Sequence, residues 1–116
     1  MAVDRGALGA TAHARRRRRP DRCAWRVVGA YSGDTGELVG FARAVSDGVN
    51  FAYLADVFVI GANRGSGLGR RMLQFMIDDG PGRDFRWTLF TGDANGLYRQ
   101  FGFEEPDATA MVRRER

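Results

Sequence analysis

The residue types best suited to chemistry gather in one turn: Arg64, Gly65, Ser66, Gly67, Leu68, Gly69 and Arg70. Glycine has no Cβ, so Gly65, Gly67 and Gly69 allow the main chain to approach a ligand closely. If a helix starts here, its first N–H groups have no helical partner, and the helix dipole makes them an anion site. Arg64 and Arg70 add fixed positive charge, so a phosphate is the natural guest. Two phosphate loops are excluded. A dinucleotide fingerprint needs glycine where Arg70 stands, and a Walker loop needs lysine, which the chain lacks. The glycines alone would equally serve a tight strand-to-helix connection.

The flanking sequence supplies the elements that would position such a turn. Phe51 to Ile60 is almost continuously apolar and rich in β-branched and aromatic residues, with Asp56 its only charge, and reads as a strand buried on both faces. A helix is predicted from near Gly67, because Leu68, Met72, Phe75 and Met76 repeat on one helical face. Gly80, Pro81 and Gly82 read as a left-handed cap and a stop. Upstream, Trp25 to Tyr31 and Leu38 to Ser46 form a predicted hairpin about Ser32 to Gly36, and Asp47, Gly48 and Val49 turn the chain into the Phe51 strand. Downstream, Arg86 to Thr91 is a strand that a helical crossover should lay parallel to the Phe51 strand. Asn95 to Phe101 is a short helix, and Phe103 with Ala108 to Arg113 a final strand or hairpin.

Arginine, two residues, glycine, one residue and glycine, set after a strand containing Val57 and Val59, resembles the acetyl-CoA motif of the GNAT family of N-acetyltransferases. Leu97, Tyr98, Arg99, Gln100, Phe101, Gly102 and Phe103 resemble the family's second signature. The resemblance covers about residues 26 to 113. It implies an α/β, GNAT-like fold: a mixed, mostly antiparallel sheet with a central parallel strand pair and flanking helices. Residues 1–24 lack the large apolar residues of the family's opening strand and helices, so the fold reads as truncated at its N-terminus. The Trp25 strand would then be an unprotected edge, which favours a homodimer.

The resemblance also implies roles. Pantetheine would pair with main chain at Val57, Phe58 and Val59, and the pyrophosphate would sit on Gly65, Ser66, Gly67, Leu68 and Gly69 between Arg64 and Arg70. A backbone N–H near Phe58 or Val59 would polarise the thioester carbonyl while the amine attacks directly. Tyr98 aligns with the tyrosine that protonates the departing thiolate, a task suited to a weakly acidic phenol. Asp56 is the candidate general base, with Tyr53, Leu54 and Phe58 placed to desolvate it; an ion pair with Arg43 is its structural alternative. Thr91 stands where many relatives have asparagine, and Asp93 is available to cap the short helix. The function so implied is N-acetyl transfer from acetyl-CoA to an amine of a small molecule or protein. A non-catalytic acyl-CoA-binding or interaction module is the alternative.

Composition bounds what remains. The 116 residues suit one domain, here 25–116, after an arginine-rich leader over 1–24 predicted to be disordered. The net charge of +4 lies in that leader, whose seven arginines face Asp4 and Asp21, whereas residues 25–116 carry eleven arginines against twelve acids. Nucleic acid is therefore not an expected partner beyond Arg15 to Arg19, itself read as a solvated tail. Cys23 is the only cysteine and His13 the only histidine, so neither an internal disulfide nor a metal site is expected, and the reading is cytoplasmic. No run is long enough for a membrane span.

Overall fold

The computed structural model describes residues 2–5, 10–15 and 24–115. Among the described residues, six strands lie side by side in sequence order: β1 (Ala2–Arg5), β2 (Ala10–Arg15), β3 (Arg26–Ser32), β4 (Leu38–Ser46), β5 (Phe51–Val59) and β6 (Arg86–Thr88). All neighbours are antiparallel except β5 and β6, which are parallel as the intervening helical crossover requires. The β3–β4 turn closes through the Gly36 amide on the Ser32 carbonyl at 2.9 Å, with Gly36 at φ 75°. In the β4–β5 turn, Asp47 Oδ1 accepts from the amides of Val49, Asn50 and Phe51, and these bonds hold its carboxyl below the usual range.

Helix α1 (Leu68–Leu73) runs straight on into a π-helical turn over Gln74–Asp78. The predicted apolar face is buried throughout: Leu68, Met72, Phe75 and Met76, joined by Leu73 and Ile77. Its seat on the sheet is made of small residues, Ala30, Ala42 and Ala44, with Val28 and Leu54. At Gly40 the approach is so close that a Cβ would fall 2.6 Å from Met72 Sδ. Arg26 ties the end of the helix down. Its Nη2 donates to the Phe75 carbonyl at 3.0 Å, its guanidinium lies 5.1 Å from the Phe75 ring centre, and burial lowers its pKa.

Five expectations are corrected. Strands β1 and β2 occupy part of the segment read as disordered; β2 pairs with β3, so the Trp25 strand is not an edge and the outer strands are β1 and β6. Residues 6–9 and 16–23, with most of the arginine run, lie outside the described residues. Burial of β5 on both faces fails, because only one side of the sheet meets α1, and Phe51 and Phe58 stay exposed on the other. Gly80 is not left-handed. It is glycine because a Cβ there would lie 2.6 Å from the Met76 carbonyl oxygen and 3.2 Å from Arg26 Nε. Finally, Ala108 to Arg113 forms no strand, and Met111 and Val112 are exposed, since no described strand extends along them.

The Gly80 contact yields a prediction. Gly80→Ala forces its methyl against main chain that the π turn already holds, so it should destabilise by about 1–3 kcal/mol and lower the thermal midpoint. Gly92→Ala, whose Cβ would meet nothing within 4 Å, should leave the midpoint unchanged in the same melt.

Candidate functional site

The parallel pairing between β5 and β6 ends almost as soon as it starts. Only Phe51 with Arg86, Ala52 with Trp87 and Tyr53 with Thr88 are in register. Just beyond, the β4 ladder steps from Leu54–Ala44 to Asp56–Arg43, which leaves Ala55 as an extra, bulged residue. A bulge bends its strand and sharpens the local twist. From there β5 continues to Val59 while the chain after Thr88 leaves the sheet, opening a wedge between them.

Strand alternation says which groups face that wedge. The Ile60 amide donates to the Val39 carbonyl at 2.9 Å, so the main chain of Ile60 and Phe58 points to β4, and that of Val57 and Val59 points away from it. Arg64 Nε, donating to the Val59 carbonyl at 3.3 Å, reaches it from the wedge side. Phe58 thus turns its main chain to β4 and its ring to the open face, while the main chain of Val57 and Val59 is directed away from β4.

The glycine turn sits at the mouth of the wedge. After a short 3-10 turn over Gly61–Asn63, the Ser66 hydroxyl donates to the Asn63 carbonyl, and Gly65 and Gly67 adopt φ of 76° and 82°. These left-handed positions are where glycine is needed. Gly67 is the N-cap and bears no capping side chain; the first helical bond runs from the Arg71 amide to its carbonyl at 3.1 Å. The amides of Leu68, Gly69 and Arg70 therefore precede the helical ladder. A Cβ at Gly65 or Gly67 would meet nothing within 4 Å, so the turn is open at these two positions, whereas a Cβ at Gly69 would lie 3.8 Å from the Leu97 and Val59 side chains. Leu68 is buried and contributes only main chain, and Arg70 Nε donates to Gln100 Oε1 at 3.0 Å, linking the turn to the second helix.

That helix, α2 (Asn95–Arg99), explains the second motif physically. The Phe103 amide donates to the Tyr98 carbonyl at 3.2 Å and the Gly102 amide to the Arg99 carbonyl at 3.1 Å, with Gly102 at φ 86°. This is a Schellman cap, and its usual apolar contact is present: the Phe103 and Tyr98 rings meet edge-on at 5.8 Å. Tyr98 is 8% exposed, and burial, aided by the negative charge of Asp93, raises its pKa. Asp93 does not cap the helix; Thr91 Oγ1 accepts from the Ala94 amide at 3.2 Å instead. Tyr98 also lines a groove of about 680 Å³ between β6 and the segment after Phe103, which no residue of the glycine turn reaches.

Asp56 takes its structural alternative. Its Oδ2 accepts from Arg43 Nε at 2.6 Å on the face away from α1, with the side chain 52% exposed. The expected enclosure is missing, because Leu54 turns into the core and Phe58 leaves its ring in solvent. The sequence reading missed the Arg70–Gln100 link and the aromatic face around Asp56. The register of Phe41 opposite Phe58 is the signal for that face, and it becomes visible only once the strands are paired. Among the described residues, no three His, Cys, Asp or Glu side chains group as metal ligands, and no helix is long and apolar enough to cross a membrane.

The cap gives a test of its own. Gly102→Ala, forced to keep a left-handed backbone, should cost about 1–2 kcal/mol, and Gly102→Asn less, since asparagine tolerates that conformation. Thermal denaturation of the two variants checks the order.

A family model described as acetyltransferase (GNAT) domain matches residues 24–105. Serotonin N-acetyltransferase 2, chloroplastic, from Oryza sativa subsp. japonica is 36% identical over 80 residues, which span 66% of this chain and 40% of the rice protein. A crystal structure assigned to the GNAT acetyltransferases of Xanthomonas campestris pv. campestris superposes with a TM-score of 0.69 at 35% identity, covering 77% of this chain and 63% of that one. A Deinococcus radiodurans structure assigned to the acetyltransferases gives 0.67 at 28% identity, covering 81% and 64%. The chain spans less than half the length of the curated relatives it matches. The wedge beside β5, the glycine turn and the capped Tyr98 helix are thus parts of a shared fold, and the chain belongs to the GNAT acetyltransferase family.

Proposed function

We infer that the protein transfers an acetyl group from acetyl-CoA to an amine by direct attack in a ternary complex. The observation that carries this reading is the early end of the β5–β6 pairing opposite a helix start whose capping position is an unobstructed, left-handed glycine. In this reading the amides of residues 65–69 hold the pyrophosphate, with Arg64 and Arg70 supplying charge nearby. Main chain at Val57 and Val59 pairs with pantetheine, and an N–H there polarises the thioester carbonyl. The amine nitrogen forms the new C–N bond as the C–S bond breaks. Asp56 takes the proton from the incoming ammonium through water, and Tyr98 gives its proton to the leaving thiolate. A raised pKa suits that role, because the phenol then stays protonated at neutral pH.

A second reading, a module that binds acyl-CoA without turnover, is favoured by one observation: Arg43 already engages the Asp56 carboxylate. Calorimetric titration of acetyl-CoA tests what the two readings share. Binding is expected, with Gly67→Asp weakening it at least about tenfold through a charge aimed at the phosphates and Gly67→Asn retaining most of it. No binding to the unaltered protein would remove both readings.

Turnover separates them. Tyr98→Phe should lower kcat by about a hundredfold or more while acetyl-CoA binding persists; an unchanged rate would contradict the proton-donor role. The rate should also fall on the alkaline side as Tyr98 deprotonates, above the ordinary tyrosine pKa of about 10. Asp93→Asn should move that limb to lower pH, because the charge that helps to raise the pKa is gone.

A further inference from the structure

Three parts of the candidate site meet at one junction. A Cβ at Gly69 would lie 3.8 Å from Leu97 Cδ2 and 3.8 Å from Val59 Cγ2, so the first turn of α1, helix α2 and the end of β5 come together there. Nearly one helical turn after Leu97, Gln100 Oε1 accepts from Arg70 Nε at 3.0 Å, across 30 positions of sequence. Leu97 and Gln100 stand three apart, so they share one side of α2, the side that meets the start of α1. Tyr98 leaves the helix about 100° further round and is buried. A helix of five residues, Asn95–Arg99, does not hold its place unaided. The Schellman cap closes its end from within the same stretch of chain. Its seat against α1 rests on the burial of Tyr98, the Leu97 contact and the Gln100 bond, and the bond, being directional, resists rotation about the helix axis.

We propose that Gln100 is a positioning residue: through Arg70 it fixes the rotation of α2 against the glycine turn, so that an anion bound at the turn also sets where Tyr98 stands. This rests on the acetyl-transfer reading and adds a coupling between its coenzyme site and its proton donor. Arginine only donates, so Gln100 must present its oxygen to it. The bond occupies Nε and leaves the Nη groups to an anion over the turn. Once a pyrophosphate engages them, the guanidinium loses freedom, and Gln100 and α2 lose theirs with it. A neutral acceptor suits this task. It holds Arg70 without cancelling the charge that attracts phosphate, whereas a carboxylate at the same position would hold it and cancel that charge. Rotation matters because the Tyr98 hydroxyl sits at the far end of a long side chain, and a misplacement of about 1 Å costs up to about a hundredfold in rate.

The test follows amide hydrogen exchange by NMR in the full chain and its Gln100→Ala and Gln100→Glu variants, with and without saturating coenzyme A. The amides of Tyr98, Phe101 and Phe103 report on α2, since they bond within the helix and its cap. In the unaltered protein coenzyme A should slow their exchange by about fivefold or more. In Gln100→Ala that slowing should shrink to less than about twofold, while the α1 amides remain slowed. Gln100→Glu, which keeps the acceptor, should restore it, with the coenzyme A Kd raised about twofold to fivefold by the added charge. Coenzyme A that binds without slowing α2, or that slows it equally in Gln100→Ala, overturns the proposal, as does a Gln100→Glu variant that behaves like Gln100→Ala. In turnover, Gln100→Ala should lower kcat about threefold to tenfold with the acetyl-CoA Kd within about twofold of the original, and an unchanged kcat also overturns it. Absence of coenzyme A binding to the unaltered protein removes the proposal together with the transfer reading, and the acetyl-CoA titration distinguishes that outcome from loss of the coupling alone.

Discussion

The close seat of α1 on the sheet is the contact on which the rest of the molecule depends. Leu68, Met72, Leu73 and Met76 are fully buried against a floor of Ala30, Ala42, Ala44 and Gly40, with Val28 and Leu54 at its sides. Each such side chain contributes about 1.5–3 kcal/mol by leaving water. Small residues on the sheet let the helix axis come near, and Gly40 shows how little space is left. Because α1 starts only a few residues after β5 ends, the same contact sets where the first helical amides point. Arg26 and the glycine at position 80 hold its other end, so the helix can neither slide nor tilt without breaking a buried contact.

A second constraint follows from the bulge at Ala55. It shifts the alternation of β5, so that Ala52 and Leu54 before it and Val57 and Val59 after it all turn toward the helix side. The parallel pairing with β6 also ends after three residues, so the second half of β5 has no β6 partner. Edge main chain with no partner is normally a liability. Here the Val59 carbonyl accepts from Arg64 Nε on that side, and the helix start at Gly67 follows a few residues on. The Schellman cap belongs to the same arrangement, since Phe103 packs on the Tyr98 ring that the cap's own hydrogen bonds position.

The two faces of the sheet have divided their tasks. The helix side carries the apolar volume that makes the domain fold. The other side carries the stacked Phe41 and Phe58 rings and the Arg43–Asp56 ion pair, with Phe51 and Phe58 exposed. Relatives of this family are longer than this chain in the matches described, and the shared part is the one that holds the wedge, the turn and Tyr98.

Sequence by itself determined the local elements and the two motifs. The heptad-like run from Leu68 to Met76, the hairpin glycines and the arginine-glycine turn are written in neighbours three to seven residues apart, and short-range periodicity and turn chemistry suffice to read them. Tertiary structure decided everything that depends on residues far apart in the chain. The pairing of β2 with β3 made an edge strand internal, and no composition rule foresees a partner of mixed polarity. The Arg43–Asp56 pair spans two strands, and its formation rests on register, which a single bulged residue resets. Gly80 was legible as a helix stop, but its reason, the Met76 carbonyl and Arg26 behind it, appears only when helix and sheet are packed. The open aromatic face likewise needed the faces assigned first: an apolar strand reads as buried on both sides until the structure shows that only one side has a helix to meet.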